Sequence, residues 1–253
     1  MPDDAIISVY VQNLGRYNEG KHFGEWVNLP TTMEHIEGVF RRAGIDGIRY
    51  EEWFFSDRSS SINSLLYHIG EFENLDELNY LAARLQDLSE YELKVLDGAI
   101  EIDSPQDVTD IINLTANLDC FTLYEGIETE EELGDYMLDE LQECFSPMVE
   151  ELRKSYDHSN RALARYIDTL ETNRYGESYG TSYSINATGV FTKYGFIEET
   201  DSSRREIYSD RDDIPDEYRV IPIFPLGSVS LEVPDMLVGE EQASRPQDRG
   251  GDR

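Results

Sequence analysis

Polar and hydrophobic positions alternate over residues 6–12, and most of these residues are β-formers. Alternation of this kind predicts a strand with one buried face. Turns are expected after it at residues 13–15 and 18–20. Two more short strands are predicted over residues 22–29 and 49–55, with a helix between them that starts at a threonine pair and ends at Gly44. Residues 1–60 are therefore predicted to form a small α+β subdomain with a short antiparallel sheet.

The spacing of apolar residues becomes helical after residue 61. The first stripe consists of Leu75, Leu78, Leu81, Ala82, Leu85 and Leu88. Ser89 is placed to cap a second helix, and Pro105 is placed at the first position of a third. Short helices joined by short loops predict a central helical subdomain over residues 61–117.

Strand and helix patterns are mixed again over residues 118–197, which predicts a C-terminal α+β subdomain. The predicted elements are a strand at 121–124, helices at 129–145 and 149–172 interrupted at Pro147, and a hairpin with strands at 182–185 and 190–196. Residues 198–253 are interpreted as an acidic-to-neutral extension that is disordered from about Gly239. The fold class predicted for the chain is α+β, in three small subdomains.

Negative charge is the dominant property of the composition. The chain has 53 Asp and Glu against 21 Lys and Arg, a formal net charge of −32, and residues 71–143 alone hold 22 acidic side chains against two basic ones. A net of −32 equals the charge on about 54 Å of duplex DNA at roughly 1.7 Å per charge. Helical residues three or four apart lie about 5–6 Å apart, comparable to neighbouring phosphates. One interpretation is that the chain resembles nucleic acid electrostatically. The alternative is an ordinary solvated acidic surface.

This acidity argues against direct binding to DNA, RNA or an anionic membrane, which basic side chains would mediate. No apolar run approaches the ~18 residues of a membrane span, and the acidic N-terminus lacks the basic region of a secretory signal. Cys120 and Cys144 do not form a disulfide framework and are expected to be buried thiols. These features predict a soluble, cytoplasmic protein.

The chain lacks recognisable catalytic motifs. It has no phosphate-binding loop, no dinucleotide fingerprint and no nucleophile elbow, and its four histidines are scattered without metal-ligand spacing. We therefore predict that the protein is not an enzyme and requires no metal and no cofactor.

Two segments carry a resemblance to a known family. Residues 9–20, with Trp26 following, resemble the opening of ArdA-type antirestriction proteins, and residues 123–140 are similar to the acidic antirestriction motif of that family. A looser third match lies among residues 166–196. These proteins are encoded on mobile genetic elements and block type I restriction–modification enzymes. The motif residues expected to shape the subdomains are Asn13, Leu14, Gly15, Tyr17, Asn18, Gly20, Trp26, Leu133, Gly134 and Tyr136.

The resemblance implies an elongated monomer of three parts that forms a homodimer through its C-terminal part and resembles bent DNA. The implied function is that of a DNA mimic, which occupies the DNA-binding channel of the methyltransferase–specificity core of a type I enzyme. The alternative is an acidic adaptor or regulator that binds a basic protein without copying the shape of DNA. The carboxylates expected on outer helix faces, each replacing a phosphate, are Asp76, Glu77, Asp87, Glu90, Asp97, Asp107, Asp110, Glu130, Glu131, Glu132, Asp135, Asp139 and Glu140.

Overall fold

The computed structural model describes residues 5–172, 176–200 and 202–226, with the backbone alone for residues 168–172. Over these residues the chain is mixed α+β, with eight α-helices and two three-stranded antiparallel sheets. In chain order the elements are β1 (Ile7–Asn13), α1 (Leu14–Asn18), β2 (Gly24–Leu29), α2 (Met33–Ala43), β3 (Trp53–Ser60), α3 (Leu75–Gln86), α4 (Glu90–Asp103), α5 (Val108–Leu114), β4 (Phe121–Glu125), α6 (Glu130–Lys154), α7 (His158–Thr172), α8 (Gly176–Asn186), β5 (Gly189–Thr192) and β6 (Gly195–Glu199).

The first sheet has the strand order β2-β1-β3, so β1 is central. Its alternate residues Val9 and Val11 are fully buried, and Ser8 and Gln12 on the opposite face are buried as well. The predicted strand is confirmed, but both of its faces are covered rather than one. Helix α2 begins at Thr32, whose hydroxyl accepts from the His35 N–H, and ends at Gly44 in the left-handed conformation (φ 73°). The predicted start and end of this helix are confirmed.

Two N-terminal predictions are wrong. The third strand starts at Trp53 rather than at residue 49, because the Asp46 carboxylate accepts from the N–H groups of Ile48, Arg49 and Tyr50 and holds this stretch in a turn. Residues after β1, expected to form a turn, instead form the short helix α1, which is capped by Asn13.

The central helices follow the predicted pattern closely. Helix α4 begins with a capping box in which Ser89 and Glu92 each accept from the other's backbone N–H. The third helix does not start at Pro105, however. The Asp107 carboxylate accepts from the Asp110 N–H at 3.1 Å, so this aspartate is the N-cap and the helix begins at Val108.

Two C-terminal predictions are also wrong. Helix α6 continues through Pro147 to Lys154. Val149, beyond the proline, is buried, and α6 contacts α7, so packing maintains the helix despite the lost donor. Residues 182–185 are not a strand but part of α8, which places Tyr179 and Tyr183 four residues apart against Leu133 and its neighbours.

The hairpin of the second sheet consists of β5 and β6, and β6 pairs with β4 on its other side. One hydrophobic core runs from the first sheet through α3, α4 and α5 to β4 and β6, while a small second cluster lies between α6, α8 and Phe196. This core contains buried side chains from both sides of the predicted boundaries at residues 60 and 117. The division of the chain into subdomains at 1–60, 61–117 and 118–197 stays a prediction.

Residues 202–226, which we call the C-terminal strap, pack back across the first two predicted subdomains. Tyr208, Ile214 and Val220 are buried in the main core. Near its end, the Phe224 ring stacks on Phe40 at a centroid distance of 5.9 Å. No role is predicted for this part of the extension, whereas its buried side chains make it part of the fold. The disorder predicted from Gly239 lies outside the described residues.

Asparagine side chains fasten the strap along its length. Asn113 donates to the Tyr208 carbonyl at 2.7 Å and accepts from the Tyr208 N–H at 3.0 Å, and Asn117 makes the same two-way contact with Arg205. Asn79 donates to the Tyr218 carbonyl at 3.0 Å and accepts from the Thr31 N–H at 2.7 Å. These three side-chain amides therefore supply hydrogen-bond partners to backbone groups that lose contact with water when the strap packs.

Asp76, in the first turn of α3, was expected on the outer face, and that expectation is wrong. Its side chain is fully buried, and its carboxylate accepts from the N–H groups of Val220 and Ile221 at 2.6 and 2.7 Å and from Arg211 Nε at 2.7 Å. A buried carboxylate persists only when it is paired and hydrogen-bonded, and the strap supplies both.

We therefore expect Asp76→Asn to lower the free energy of unfolding by about 2–4 kcal/mol, because the amide cannot accept from every donor and loses the Arg211 pair. Chemical denaturation measures this effect. Asp87→Asn, at an exposed position at the end of the same helix, is the matched control and should cost little. Equal stability of the two variants would contradict the role given to Asp76.

Candidate partner-binding surface

The start of α6 presents the densest group of exposed carboxylates in the antirestriction-like motif. Thr129 caps the helix by accepting from the Glu132 N–H at 3.2 Å, and the Glu132 carboxylate returns to the Thr129 N–H at 3.1 Å. Three consecutive glutamates thus occupy the first turn, where the positive end of the helix dipole favours them. Backbone hydrogen bonds hold the pKa of Glu132 below its usual range.

The six carboxylates predicted on α6 differ in exposure. Glu131, Glu132, Asp139 and Glu140 are exposed, whereas Glu130 and Asp135 are half-buried where α8 crosses. Glu130 accepts from the Thr181 hydroxyl at 2.7 Å, so it links the two helices. The helix therefore places Glu131, Asp139 and Glu140 toward solvent, and Glu130 and Glu132 also have structural contacts.

Four of the carboxylates predicted on the central helices are exposed: Asp87, Glu90, Asp107 and Asp110. Glu77 is half-buried and accepts from the Tyr208 hydroxyl at 2.8 Å. Burial and the neighbouring Glu77 raise the pKa of the Tyr208 phenol. Asp107 and Asp110 also cap the start of α5, so their positions are fixed by the backbone.

Asp97 was expected on the outer face of α4, and this expectation is wrong. Its side chain is buried, where it accepts from the Ser64 hydroxyl and N–H and pairs with Lys193 Nζ at 2.9 Å. Burial raises the pKa of Asp97, but the bonds from Ser64 and Lys193 outweigh that effect and place it below its usual value. Asp97 joins α4 to the β5–β6 turn rather than to a partner.

Basic side chains distant in sequence neutralise several carboxylates of the acidic stretch. Arg211 of the strap pairs with Asp76, Arg204 with Asp103, and Arg205 with Asp119 at 2.5 Å. Within the stretch itself, Lys94 bridges Glu90 at 3.2 Å and Glu125 at 2.6 Å. The sequence-based count of two basic residues missed these strap arginines because their partners lie about a hundred residues away in the chain.

The extension that supplies these arginines is itself acidic. Residues 198–253 contain 15 Asp and Glu against seven Lys and Arg, and most of the excess lies in residues 198–217. Within the strap, Glu206, Asp212 and Glu217 are exposed. The strap therefore directs arginines toward the helices and several carboxylates toward solvent.

The first family-like motif shapes the N-terminal sheet. Asn13 is fully buried and donates to the carbonyls of Ala43 and Gly44 at 3.1 and 3.0 Å, which ties the end of β1 to the end of α2. A side chain at Gly15 would overlap the Tyr50 ring, and Gly20 has a φ of 79°. The remaining motif residues are half-buried Leu14 and Trp26, and exposed Tyr17 and Asn18.

The acidic motif contains a close helix crossing. A Cβ at Gly134 would overlap the Gly176 carbonyl of α8, and a Cβ at Gly180 would overlap the Glu130 carbonyl of α6. Beside this crossing, Leu133 is fully buried and Tyr136 packs edge-on against Tyr124 at 5.4 Å. The glycines let α8 approach closely enough to fix the direction in which the α6 carboxylates point.

The two cysteines are both free thiols. Cys120 is buried as expected, but Cys144 is exposed, so that part of the prediction is wrong. In the described part of the chain, no group of three or more His, Cys, Asp or Glu side chains could hold a metal ion. None of the helices described there is long and apolar enough to cross a membrane.

Comparison with known proteins identifies the family. Residues 9–198, three quarters of the chain, match the family model described as antirestriction protein (ArdA). The chain belongs to the ArdA antirestriction family. A search of curated proteins finds no match.

Membership of the ArdA family gives antirestriction as the function of the protein and restriction–modification enzymes as the class of its partners. The match includes nearly all of both sheets, the acidic helices and the α6–α8 crossing. It ends before the C-terminal strap. The strap contacts with Asp76, Asn113 and Asn117 therefore join matched residues to a segment outside the match.

We expect Gly134→Ala to destabilise the α6–α8 pair by about 1–3 kcal/mol, because the added methyl group forces the helices apart. Thermal unfolding followed by circular dichroism measures the effect. Gly38→Ala, in α2, meets only the flexible end of Arg42 and should be neutral or stabilising by up to about 1 kcal/mol. If both alanine variants changed the unfolding temperature equally, the close approach of α6 and α8 would not be the reason that a glycine is needed at position 134.

Proposed function

We propose that this ArdA-family protein is a non-enzymatic DNA mimic. It binds the DNA-binding channel of the methyltransferase–specificity core of a type I restriction–modification enzyme and competes there with substrate DNA. Its exposed carboxylates take the places of phosphates against lysine and arginine side chains of the channel.

The observation that carries the proposal is a difference in ion pairing between the buried and the exposed carboxylates of the predicted set. Buried Asp76 and Asp97 each pair with a basic side chain. Among the described residues, six of the exposed predicted carboxylates form no ion pair: Asp87, Asp107, Asp110, Glu131, Glu132 and Glu140. Charge left unpaired on the surface weakens the fold by self-repulsion but is available to a basic partner.

Such an interface has a characteristic dependence on salt. Exposed charge pairs contribute little individually and are screened by ions, so affinity would be distributed over many contacts. An enzyme channel that binds DNA through phosphates responds to salt in the same manner. A mimic is therefore expected to lose affinity steeply as salt rises.

The same geometry supports a second class of function less strongly. An acidic adaptor or regulator would also bind a basic protein, without occupying the channel that DNA uses. The two proposals differ in whether the partner can hold DNA and this protein together, because only a mimic excludes the duplex.

We also propose a homodimer formed through residues 118–197. The supporting observation is an exposed apolar stripe on α6, where Leu141, Phe145 and Met148 are 40%, 49% and 59% exposed at helical spacing. Exposed apolar patches of this kind often mark protein interfaces.

If α6 forms the dimer contact, Phe145→Glu should shift the protein toward monomer, since a charge cannot be buried there without a partner. Sedimentation equilibrium at micromolar concentration measures the change. Ile48→Glu, at an apolar side chain exposed in the N-terminal part, is the control and should leave the mass unchanged. A monomeric wild-type protein would contradict the dimer.

We expect the triple variant Glu131→Gln, Asp139→Asn and Glu140→Gln to bind a type I methyltransferase on the order of tenfold more weakly. The dependence of its affinity on salt should also be shallower, because fewer charges are neutralised on binding. Glu130 and Glu132 are left intact because they contact Thr181 and the helix cap. Binding is measured by titration at several salt concentrations.

The control variant removes the same number of charges from the C-terminal strap, at Glu206, Asp212 and Glu217, by changing each to the corresponding amide. Both variants have the same net charge, so a difference between them reports position rather than total charge. Full inhibition by the α6 variant, or equal weakening of the two, would reject the role proposed for that helix.

A further inference from the structure

A groove of about 460 Å³ lies where the N-terminal sheet, the start of α3 and the C-terminal strap meet. Its apolar surface comes from Leu14, Trp53, Phe72 and Ile221. Ile221 belongs to the strap, so a segment outside the family match completes one wall of the groove.

Phe72 is 70% exposed although its surroundings are well fixed. The neighbouring Glu71 carbonyl accepts from the Phe55 N–H at 2.8 Å, which anchors this loop to β3. The centroid of the Phe72 ring lies 6.2 Å from that of the Phe54 ring. An aromatic ring held in water forgoes the free energy that burial would give it, so its face is available for contact with another molecule.

Four carboxylates surround this apolar surface, and none of the described residues that line the groove is basic. Glu51, Glu52 and Glu71 are exposed, and Glu73 is half-buried and accepts from the Gly70 N–H at 3.2 Å. Burial raises the pKa of Glu73, with Glu77 and Asp107 adding to the effect. The groove therefore combines an exposed aromatic ring with a negative rim.

We propose that this groove receives an arginine or lysine side chain of the restriction enzyme, which rests on the proposed function above. The aliphatic stem of that side chain would contact Leu14 and Ile221, and its charged end would lie over the Phe72 ring within reach of the rim carboxylates. A cation over an aromatic face and an apolar stem on an apolar wall are both favourable. An anion such as phosphate would be repelled by the rim carboxylates. A neutral apolar segment would contact the apolar wall but leave those carboxylates without a partner.

This contact differs physically from the carboxylate rows. Exposed charge pairs weaken as salt rises, whereas contact between a side chain and a ring operates at short range and is screened less. The groove would therefore add a component of affinity that persists at high salt.

The test compares wild-type protein, Phe72→Ala and Phe72→Leu in binding to a purified type I methyltransferase over a range of salt concentrations. We expect Phe72→Ala to bind about threefold to thirtyfold more weakly at every salt concentration, with the salt dependence unchanged. Phe72→Leu keeps apolar volume but loses the ring face, so it should bind as weakly as the alanine variant. Tyr67→Ala removes an aromatic side chain that is 87% exposed outside this groove and should bind as wild type does.

The outcomes separate this inference from the proposed function. Wild-type protein that does not bind the methyltransferase would reject the proposed function itself. Tight wild-type binding with an unchanged Phe72→Ala variant would reject the groove, and a leucine variant equal to wild type would reject the cation contact. Loss of self-association in Phe72→Ala would assign the groove to a second copy of this chain and overturn the proposal. Unfolding temperatures equal to wild type show that the variants are folded.

Discussion

The fold depends on the neutralisation of carboxylates that lie inside it. Asp76 and Asp97 are buried, and a buried carboxylate without a partner would cost several kcal/mol. Each is instead matched by hydrogen-bond donors and a basic side chain from a distant segment: the strap for Asp76, and Ser64 with Lys193 for Asp97. A chain with a net charge of −32 has few basic residues, and it places two of them, Arg211 and Lys193, beside these carboxylates. The remaining negative charge is left at the surface.

This allocation of charge links the strap to the function of the helices. Arg204, Arg205 and Arg211 turn toward the acidic helices, and the strap backbone is held by three asparagines and by Asp76. The segment lies outside the residues that match the family, yet it closes the core and forms one wall of the groove beside Phe72. The packed unit is therefore larger than the family match alone.

Local signals predicted much of the fold. The threonine and glycine that bound α2 and the serine that caps α4 act on the nearest backbone, so the sequence shows them directly. Residues 182–185 were misassigned because their alternating pattern suits a strand, while the glycine contacts that make them helical come from α6. The exposed surface of α6 was predicted, but the orientations of Asp76 and Asp97 were not. Their basic partners lie about a hundred residues or more away, and helical spacing carries no information about them.

The central claim is that this protein and duplex DNA occupy the same channel. The most direct measurement titrates the protein into a complex of a type I methyltransferase with labelled DNA that carries its recognition sequence, at several DNA concentrations. The account predicts that the label is released, that the apparent dissociation constant rises in proportion to DNA concentration, and that no complex contains all three components. A stable ternary complex, or an affinity independent of DNA concentration, would contradict mimicry and favour the acidic adaptor.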